Sequence, residues 1–184
     1  MFEASYVMTD AQLVNGCRDG NANAQRELFV RFAQKMMGVC VRYTDSTEEA
    51  EDMLQDGFIK VFGKLDSFRG EGSLEGWLRR IMVNTALENF RRLKEQKQNT
   101  EGGVEDLQIS NFDNPEDKLG EKDLLNMIKS MPQGYRIIFN LYAIEGYTHK
   151  EIGEQLGLSE GTSKSQYARA RVYLQKILLT EKVG

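Results

Sequence analysis

The chain has 184 residues, of which 40% are hydrophobic and 28% charged, and only two are proline. Such a composition is that of an ordinary soluble protein, and the scarcity of proline favours helices over a β-sandwich. No apolar run approaches the length of a membrane span, and residues 1–10 lack the features of a signal peptide. We therefore expect a cytoplasmic protein without membrane insertion.

The net charge of −4 and the pI near 5.2 are unusual for a free-standing DNA-binding protein. Cys17 and Cys40 lie far apart and accompany a single histidine, so neither a disulfide framework nor a zinc site is expected. Cys40 lies among apolar residues and is expected in the core.

The apolar periodicity predicts four helices in the N-terminal block. Thr9 and Gln12 have capping-box spacing before the first, and Ser46 and Glu49 cap the third. A glycine-rich loop, residues 67–73, precedes the fourth. The expected core-facing residues are Leu28, Phe29, Phe32, Met36, Val39 and Cys40 in the second helix, Ala50, Met53, Leu54, Gly57, Phe58, Val61, Phe62 and Leu65 in the third, and Leu74, Trp77, Leu78, Ile81, Met82 and Thr85 in the fourth.

The apolar pattern stops near residue 96 and returns near residue 118. The intervening residues are acidic and rich in Gly and Asn, which is typical of a flexible linker. The predicted fold class is therefore all-α, with two small helical domains, residues 1–97 and 118–184, joined by a flexible acidic linker, residues 98–117. The linker acids account for much of the negative net charge.

Residues 148–159 carry the signals of a helix-turn-helix. Thr148 and Glu151 form a capping box, and Gly153 is small where two helices must cross closely. Gly157 can end the first helix in the left-handed conformation, and Ser159 can cap the second. The second helix would present to a DNA major groove Thr162, Ser163, Lys164, Ser165, Gln166 and Arg169. A plain helical hairpin with a polar face is the alternative.

Two further surfaces carry charge. The face of the third helix opposite its apolar stripe bears Glu48, Glu51, Asp52, Gln55 and Asp56, which suits a basic partner or a solvated surface. An alternative is that Glu48, Glu49 and Asp52 bind a Mg²⁺ ion. A catalytic metal would need a second acidic set on a facing helix, where the fourth helix offers Glu88 among arginines.

Around the fourth helix, the side chains that suit single-stranded nucleic acid are Phe68, Arg69, Trp77, Arg80, Asn84 and Arg91, although Trp77 is also expected in the core.

Three segments in order resemble extracytoplasmic-function (ECF) sigma factors over nearly the whole chain. AEDMLQDGF at residues 50–58 resembles the family's A-E-D-L-x-Q-x-x-F. WLRRI at 77–81, with Asn84, Glu88 and Arg91, is similar to W-L-x-x-I-A-x-N-x-x-x-D-x-x-R. GTSKS at 161–165, with residues 169–171, is similar to G-T-V-K-S-R-x-x-R-A-R.

The resemblance implies a first domain that docks on the β′ clamp helices of core RNA polymerase and melts the −10 element, and a second that reads the −35 element and packs on the β flap. It implies duplex and single-stranded promoter DNA as partners, an anti-sigma factor as a possible one, and neither cofactor nor catalysis. The implied residues are Asp52, Gln55 and Asp56 for docking, Phe68, Arg69, Arg80, Asn84, Glu88 and Arg91 for −10, and Thr162, Lys164, Ser165, Gln166 and Arg169 for −35.

The chain departs from the family pattern at several positions. Met82 and Val83 replace the usual Ala and a frequent Arg, Glu88 replaces Asp, and Ser163 and Gln166 replace Val and Arg. The promoter sequence that is read therefore does not carry over. Two other functions are consistent with parts of the pattern: a free-standing helix-turn-helix regulator with a helical sensor domain, and an all-α Mg²⁺-dependent nucleotide hydrolase, which the missing second acidic pair opposes.

Overall fold

A computed structural model describes residues 8–100 and 121–181, which form helices and no strand. The helices are α1 (Asp10–Arg18), α2 (Ala22–Cys40), α3 (Thr47–Lys64), α4 (Leu74–Thr100), α5 (Glu121–Ser130), α6 (Gln133–Phe139), α7 (His149–Leu156) and α8 (Glu160–Glu181). A 3₁₀ turn, Leu65–Ser67, follows α3, and a π-helical turn, Asn140–Ile144, follows α6. The predicted all-α fold is confirmed. Within the described ranges, no helix has both the length and the apolar composition of a membrane span.

Backbone contacts divide the chain into two compact units. The first unit comprises the described residues up to Val41 together with Ser46–Ala86, and the second comprises Arg42–Asp45 and the described residues from Leu87 onward. Helix α4 continues to Thr100 and so includes the first residues of the predicted linker. Lysine and glutamine, which favour helices even on an exposed surface, follow its last apolar residues. The rest of the predicted linker, residues 101–117, lies outside the described residues, and the domain boundaries stay a prediction.

The predicted helix starts are confirmed in detail. Thr9 and Gln12 form a reciprocal capping box at α1, with the Gln12 side chain accepting the Thr9 backbone N–H at 2.9 Å. The Ser46 hydroxyl accepts the backbone N–H of Glu49 at 3.1 Å. Because a helix leaves its first N–H groups without backbone partners, these side chains fix where each helix begins.

The first unit buries the predicted apolar stripes of α1 to α4, with three corrections. Phe62 is half-buried, near the end of the α3 stripe. Phe29 is 40% exposed, because it lies at the edge of the α2 stripe, where its ring packs against Phe58 at 4.8 Å between centroids. Trp77 is half-buried rather than a core residue. Cys17 and Cys40 are both buried and are not joined in a disulfide, and the prediction that Cys40 belongs to the core is confirmed.

In the second unit, a small core lies between α5, α6 and α8. Ile128, Met131 and Ala170 are buried at its centre. The partly buried residues around them are Tyr135, Phe139, Ile144, Tyr173 and Leu174. The Tyr173 hydroxyl donates a hydrogen bond of 2.8 Å to the carbonyl oxygen of Ser130, which fixes α8 against the end of α5. This core supports one side of the long helix α8.

The Met82 side chain of α4 fills the space over Gly57 of α3. A Cβ atom built at Gly57 would overlap the Met82 sulfur and lie 2.7 Å from its terminal carbon. Met82 is fully buried, so its side chain cannot move into solvent. A larger residue at position 57 would therefore force the Met82 side chain to shift within the buried core.

We predict that Gly57→Ala lowers the free energy of unfolding by about 1–3 kcal/mol, because the new methyl group overlaps Met82. Gly63→Ala in the same helix is the control: a Cβ there meets no atom within 4 Å. That control should gain about 0.5–1 kcal/mol from the reduced flexibility of the unfolded chain. Urea unfolding measures both. In a Met82→Ala background the cost of Gly57→Ala should shrink, and an undiminished cost would contradict the proposed overlap.

Candidate functional site

Helices α7 and α8 form the predicted helix-turn-helix. Gly157 ends α7 with φ of 64°, in the left-handed region that glycine adopts without strain. The backbone N–H of Leu158 then donates to the carbonyl oxygen of Gly153 at 2.9 Å. Ser159 caps α8 by accepting the backbone N–H of Thr162 at 3.0 Å. Each of these turn and cap predictions is confirmed.

Gly153 is where the turn folds back onto α7. A Cβ atom built there would lie 2.7 Å from the backbone carbonyl oxygen of Leu158 and 3.6 Å from the backbone nitrogen of Glu160. These are backbone atoms of the turn, so they cannot rotate away as a flexible side chain can. The predicted close approach at Gly153 is confirmed, and it sets the angle at which α8 leaves the turn.

Ser163 is fully buried, so the prediction that it faces a DNA groove is wrong. It lies on the inner side of α8, where its hydroxyl is 3.0 Å from Nδ1 of His149. The imidazole ring also stacks on Tyr142, with centroids 4.2 Å apart and planes 10° from parallel. The only histidine of the chain therefore helps to hold α8 against α7, and sequence reasoning gave it no role.

The outward side of α8 presents Lys164, Ser165 and Arg169, which are all exposed. Gln166 is half-buried, and the Thr162 hydroxyl is 2.8 Å from the Ser159 hydroxyl, so it takes part in the cap. Three of the five predicted −35 residues are thus exposed.

One cation on this surface is already paired. Lys164 forms an ion pair of 2.6 Å with Glu160, one turn earlier on α8. The hydrogen bond and the positive charge of Lys164 lower the pKa of the Glu160 carboxyl. A DNA phosphate would have to compete with this carboxylate for the ammonium group.

A polar stripe follows one face of α4. Arg80, Asn84, Glu88 and Arg91 are exposed and recur at intervals of three or four residues, which places them on one side of a helix. The spacing from the first to the last corresponds to about 16 Å along the helix axis. The structure thus aligns four of the predicted −10 residues.

The loop before α4 brings an aromatic pair to the start of this stripe. The rings of Phe68 and Trp77 pack at 5.4 Å between centroids, with planes at 55°. Both rings are only partly buried, and the adjacent Arg69 is exposed. A partly exposed aromatic pair beside cationic side chains can stack a nucleobase while the cations contact phosphates.

The outer face of α3 is an exposed acidic surface with an exposed apolar residue at its C-terminal end. Asp52, Gln55 and Asp56, the three predicted docking residues, are all exposed. Ile59, one turn after Gln55 on the same face, is 70% exposed. Sequence reasoning missed Ile59 because a single apolar residue beside Phe58 reads as part of the buried stripe. An apolar residue within a charged surface is typical of the centre of a protein interface.

The described residues contain no group of three or more His, Cys, Asp or Glu side chains placed to hold a metal ion. The acids of α3 point outward along one face, and Glu88 of α4 belongs to the polar stripe.

Comparisons with known proteins cover most of the chain. The family model for Sigma-70 region 2 matches residues 28–96, and the model for Sigma-70, region 4 matches residues 121–174. The ECF RNA polymerase sigma-E factor of Escherichia coli (strain K12) is 31% identical over 91% of this chain and 93% of its own length. The sigma-E factor of Haemophilus influenzae is 28% identical over 91% and 94%, respectively.

A solved structure has the same fold. It contains the sigma factor RpoE in complex with the anti-sigma factor NepR from Bartonella quintana, and the alignment covers 83% of this chain and 95% of that chain. The TM-score is 0.51 at 23% sequence identity.

We predict that Gly153→Ala destabilises the helix-turn-helix by about 1–3 kcal/mol, because its methyl group meets the backbone of the turn. Hydrogen exchange at the amides of α7 and α8 should accelerate accordingly. Gly161→Ala is the matched control, since the nearest atom to its Cβ is the Ser159 hydroxyl oxygen at 3.7 Å. Equal exchange rates in the two variants would refute the role of Gly153.

Proposed function

The chain belongs to the extracytoplasmic-function (ECF) family of sigma factors, and we propose how its surfaces divide the work of promoter-specific transcription initiation. Core RNA polymerase and promoter DNA are the partners that this family implies, and the family consists of regulators rather than enzymes. This membership decides against the nucleotide hydrolase and the free-standing regulator. The protein is expected to act in the cytoplasm, where these partners are.

The observation that carries the proposal is the pairing, in one chain, of a helix-turn-helix with an exposed aromatic and basic helix. The first element is built for the major groove of duplex DNA. The second has the partly exposed Phe68 and Trp77 rings that unpaired bases need. A protein that opens a promoter must hold duplex DNA at one place and single-stranded DNA at another, and these surfaces supply both.

The outer face of α3 is the proposed docking surface for the β′ clamp helices of core polymerase. Asp52 and Asp56 would contact basic groups, and Gln55 would supply hydrogen bonds. Ile59 lies at the C-terminal end of the acidic patch, where its 70% exposed side chain can be buried by a partner. The charged residues would speed association, and burial of Ile59 would stabilise the contact.

The −10 element is proposed to bind along the stripe of α4. A base leaving the duplex would stack at the Phe68 and Trp77 pair. Asn84 is exposed one helical turn after Arg80 and has both an amide donor and a carbonyl acceptor for a base edge. Arg69, Arg80 and Arg91 would contact the phosphates. Glu88 would favour bases whose amino groups can donate a hydrogen bond to its carboxylate.

The −35 element is proposed to bind the outward side of α8 through Lys164, Ser165 and Arg169, with Thr162 and Gln166 at its margins. The β flap of the polymerase would pack on the same unit. An anti-sigma partner stays a prediction from the family resemblance. Polymerase then supplies much of the grip on DNA, which is consistent with the net charge of −4 of the chain.

Reversing the charge of the docking surface should abolish assembly. We expect Asp52→Lys combined with Asp56→Lys to weaken binding to core RNA polymerase by at least about tenfold, or 1.4 kcal/mol, because repulsion replaces attraction. Co-purification and a binding titration with core polymerase measure the change, and circular dichroism checks that the helices remain.

The control carries the same charge change elsewhere, in Asp19→Lys combined with Glu95→Lys; both acids are exposed. This control should bind core polymerase as wild type does. If both double variants bind equally well, α3 is not the docking surface, and if wild type itself does not bind core polymerase, the proposed function is wrong.

Arg169→Ala should weaken promoter binding by the holoenzyme, in one of two distinguishable ways. A lost base contact would cost about 1–3 kcal/mol and relax preference at one −35 position. A lost phosphate contact would weaken all sequences alike and reduce the salt slope by about one. A set of −35 substitutions and a salt series separate these cases. Arg171→Ala is the control, since Arg171 is exposed about 200° around α8; matching values for the two variants would remove Arg169 from the interface.

A further inference from the structure

Arg18, the last residue of α1, binds the backbone of the loop that carries Phe68. Its Nη2 donates to the carbonyl oxygens of Leu65 at 2.9 Å and of Phe68 at 2.6 Å. Its Nε donates to the Leu65 carbonyl oxygen at 3.3 Å. One planar guanidinium group thus joins α1 to two points of a loop about fifty residues away in sequence. The second of these points is the peptide of Phe68 itself.

The interaction is with the backbone far more than with a charge. Arg18 also approaches Asp66, but the two atoms are 3.8 Å apart and the aspartate side chain is 94% exposed. Such an ion pair is screened by solvent and contributes little. The carbonyl groups at the end of a helix carry partial negative charge, so a cationic donor suits them; the Leu65 carbonyl oxygen accepts the Phe68 backbone N–H at 3.1 Å as well as the Arg18 donors.

Arg18 holds the loop at its start, at Leu65 and Phe68. The residues after Phe68 are loosely packed. Gly70 and Gly72 follow with φ of 75° and 93°, and a Cβ at either would meet no atom within 4 Å. The next ordered helix starts only at Leu74. Packing against these glycines therefore does not set the position of the Phe68 ring. The contacts that set it are the Arg18 hydrogen bonds, the hydrogen bond from the Phe68 N–H to the Leu65 carbonyl oxygen, and the packing against Trp77.

We propose that Arg18 is a positioning residue for the capture of an unpaired −10 base, although it lies outside α4 and its loop. By fixing the Phe68 peptide, it keeps the aromatic pair in the arrangement that accepts a base. Without it, the loop samples other positions, and apparent affinity falls by the fraction of time that the competent position is lost. This inference rests on the proposed role of the Phe68 loop.

Trp77 reports on the loop directly, because it is the only tryptophan of the chain and touches Phe68. In the free full-length protein, Arg18→Ala should shift Trp77 emission to longer wavelength and increase its quenching by acrylamide. Phe68→Ala should change both signals in the same direction. Arg26→Ala, at an exposed arginine of α2, should leave them unchanged. Asp66→Asn should also leave them unchanged, since the backbone hydrogen bonds remain.

The functional readout is the binding of a fluorescently labelled single-stranded −10 oligonucleotide to holoenzyme. We expect Arg18→Ala to weaken binding about tenfold, with core polymerase affinity unchanged. Arg18→Lys should weaken it about threefold, because one ammonium group cannot match the planar fork of arginine. If Arg18→Ala does not fold, Arg18→Lys and Arg18→Gln carry the test. Asn84→Ala and Phe68→Ala are the reference variants for base capture.

The outcomes separate the two proposals. If Phe68→Ala and Asn84→Ala both bind the oligonucleotide as wild type does, the proposed −10 surface is wrong, and the role of Arg18 falls with it. If they weaken binding while Arg18→Ala does not, only the role of Arg18 is overturned. An Arg18→Ala variant with normal Trp77 emission, or with equally reduced core affinity, also overturns it. Asp66→Asn behaving like Arg18→Ala would overturn the assignment to the backbone.

Discussion

Two close approaches, one between α3 and α4 and one between α7 and the turn before α8, set the geometry on which the rest of the structure depends. Each is possible only because one residue has no side chain. At Gly57 the buried Met82 side chain occupies the space that a Cβ would need. At Gly153 the carbonyl oxygen of Leu158 does the same. With the inner faces fixed in this way, the opposite face of α3 and the outward side of α8 remain exposed.

Much of this architecture could be predicted from single residues and their spacing. Helix starts depend on local hydrogen bonds, so the caps at Thr9, Ser46 and Thr148 could be predicted from the sequence motifs alone. The turn at Gly157 depends on a left-handed backbone that glycine adopts freely. The exposed stripe of α4 follows from helical periodicity alone. Such features involve residues within a few positions of one another.

The features that sequence reasoning missed involve partners far apart in the chain. Whether Ser163 faces DNA or the protein depends on His149, which is fourteen positions away and accepts or donates one hydrogen bond. Trp77 fits the periodicity of a core residue, yet the loop at Phe68 meets it at the surface. The sequence pattern gave no role to Arg18. None of these contacts can be recognised from the periodicity of the sequence, because each joins a side chain to a group in another element.

The Gly57 and Met82 pair bears on the exchange of segments between relatives. Met82 stands where the family pattern has alanine, and this chain accommodates the larger residue opposite a glycine. A chimaera that takes α3 from one sigma factor and α4 from another would separate Gly57 from Met82. Methionine facing a bulkier residue would crowd the core, and alanine facing Gly57 would leave a void. For this chain, α3 and α4 therefore have to be transplanted into a relative together.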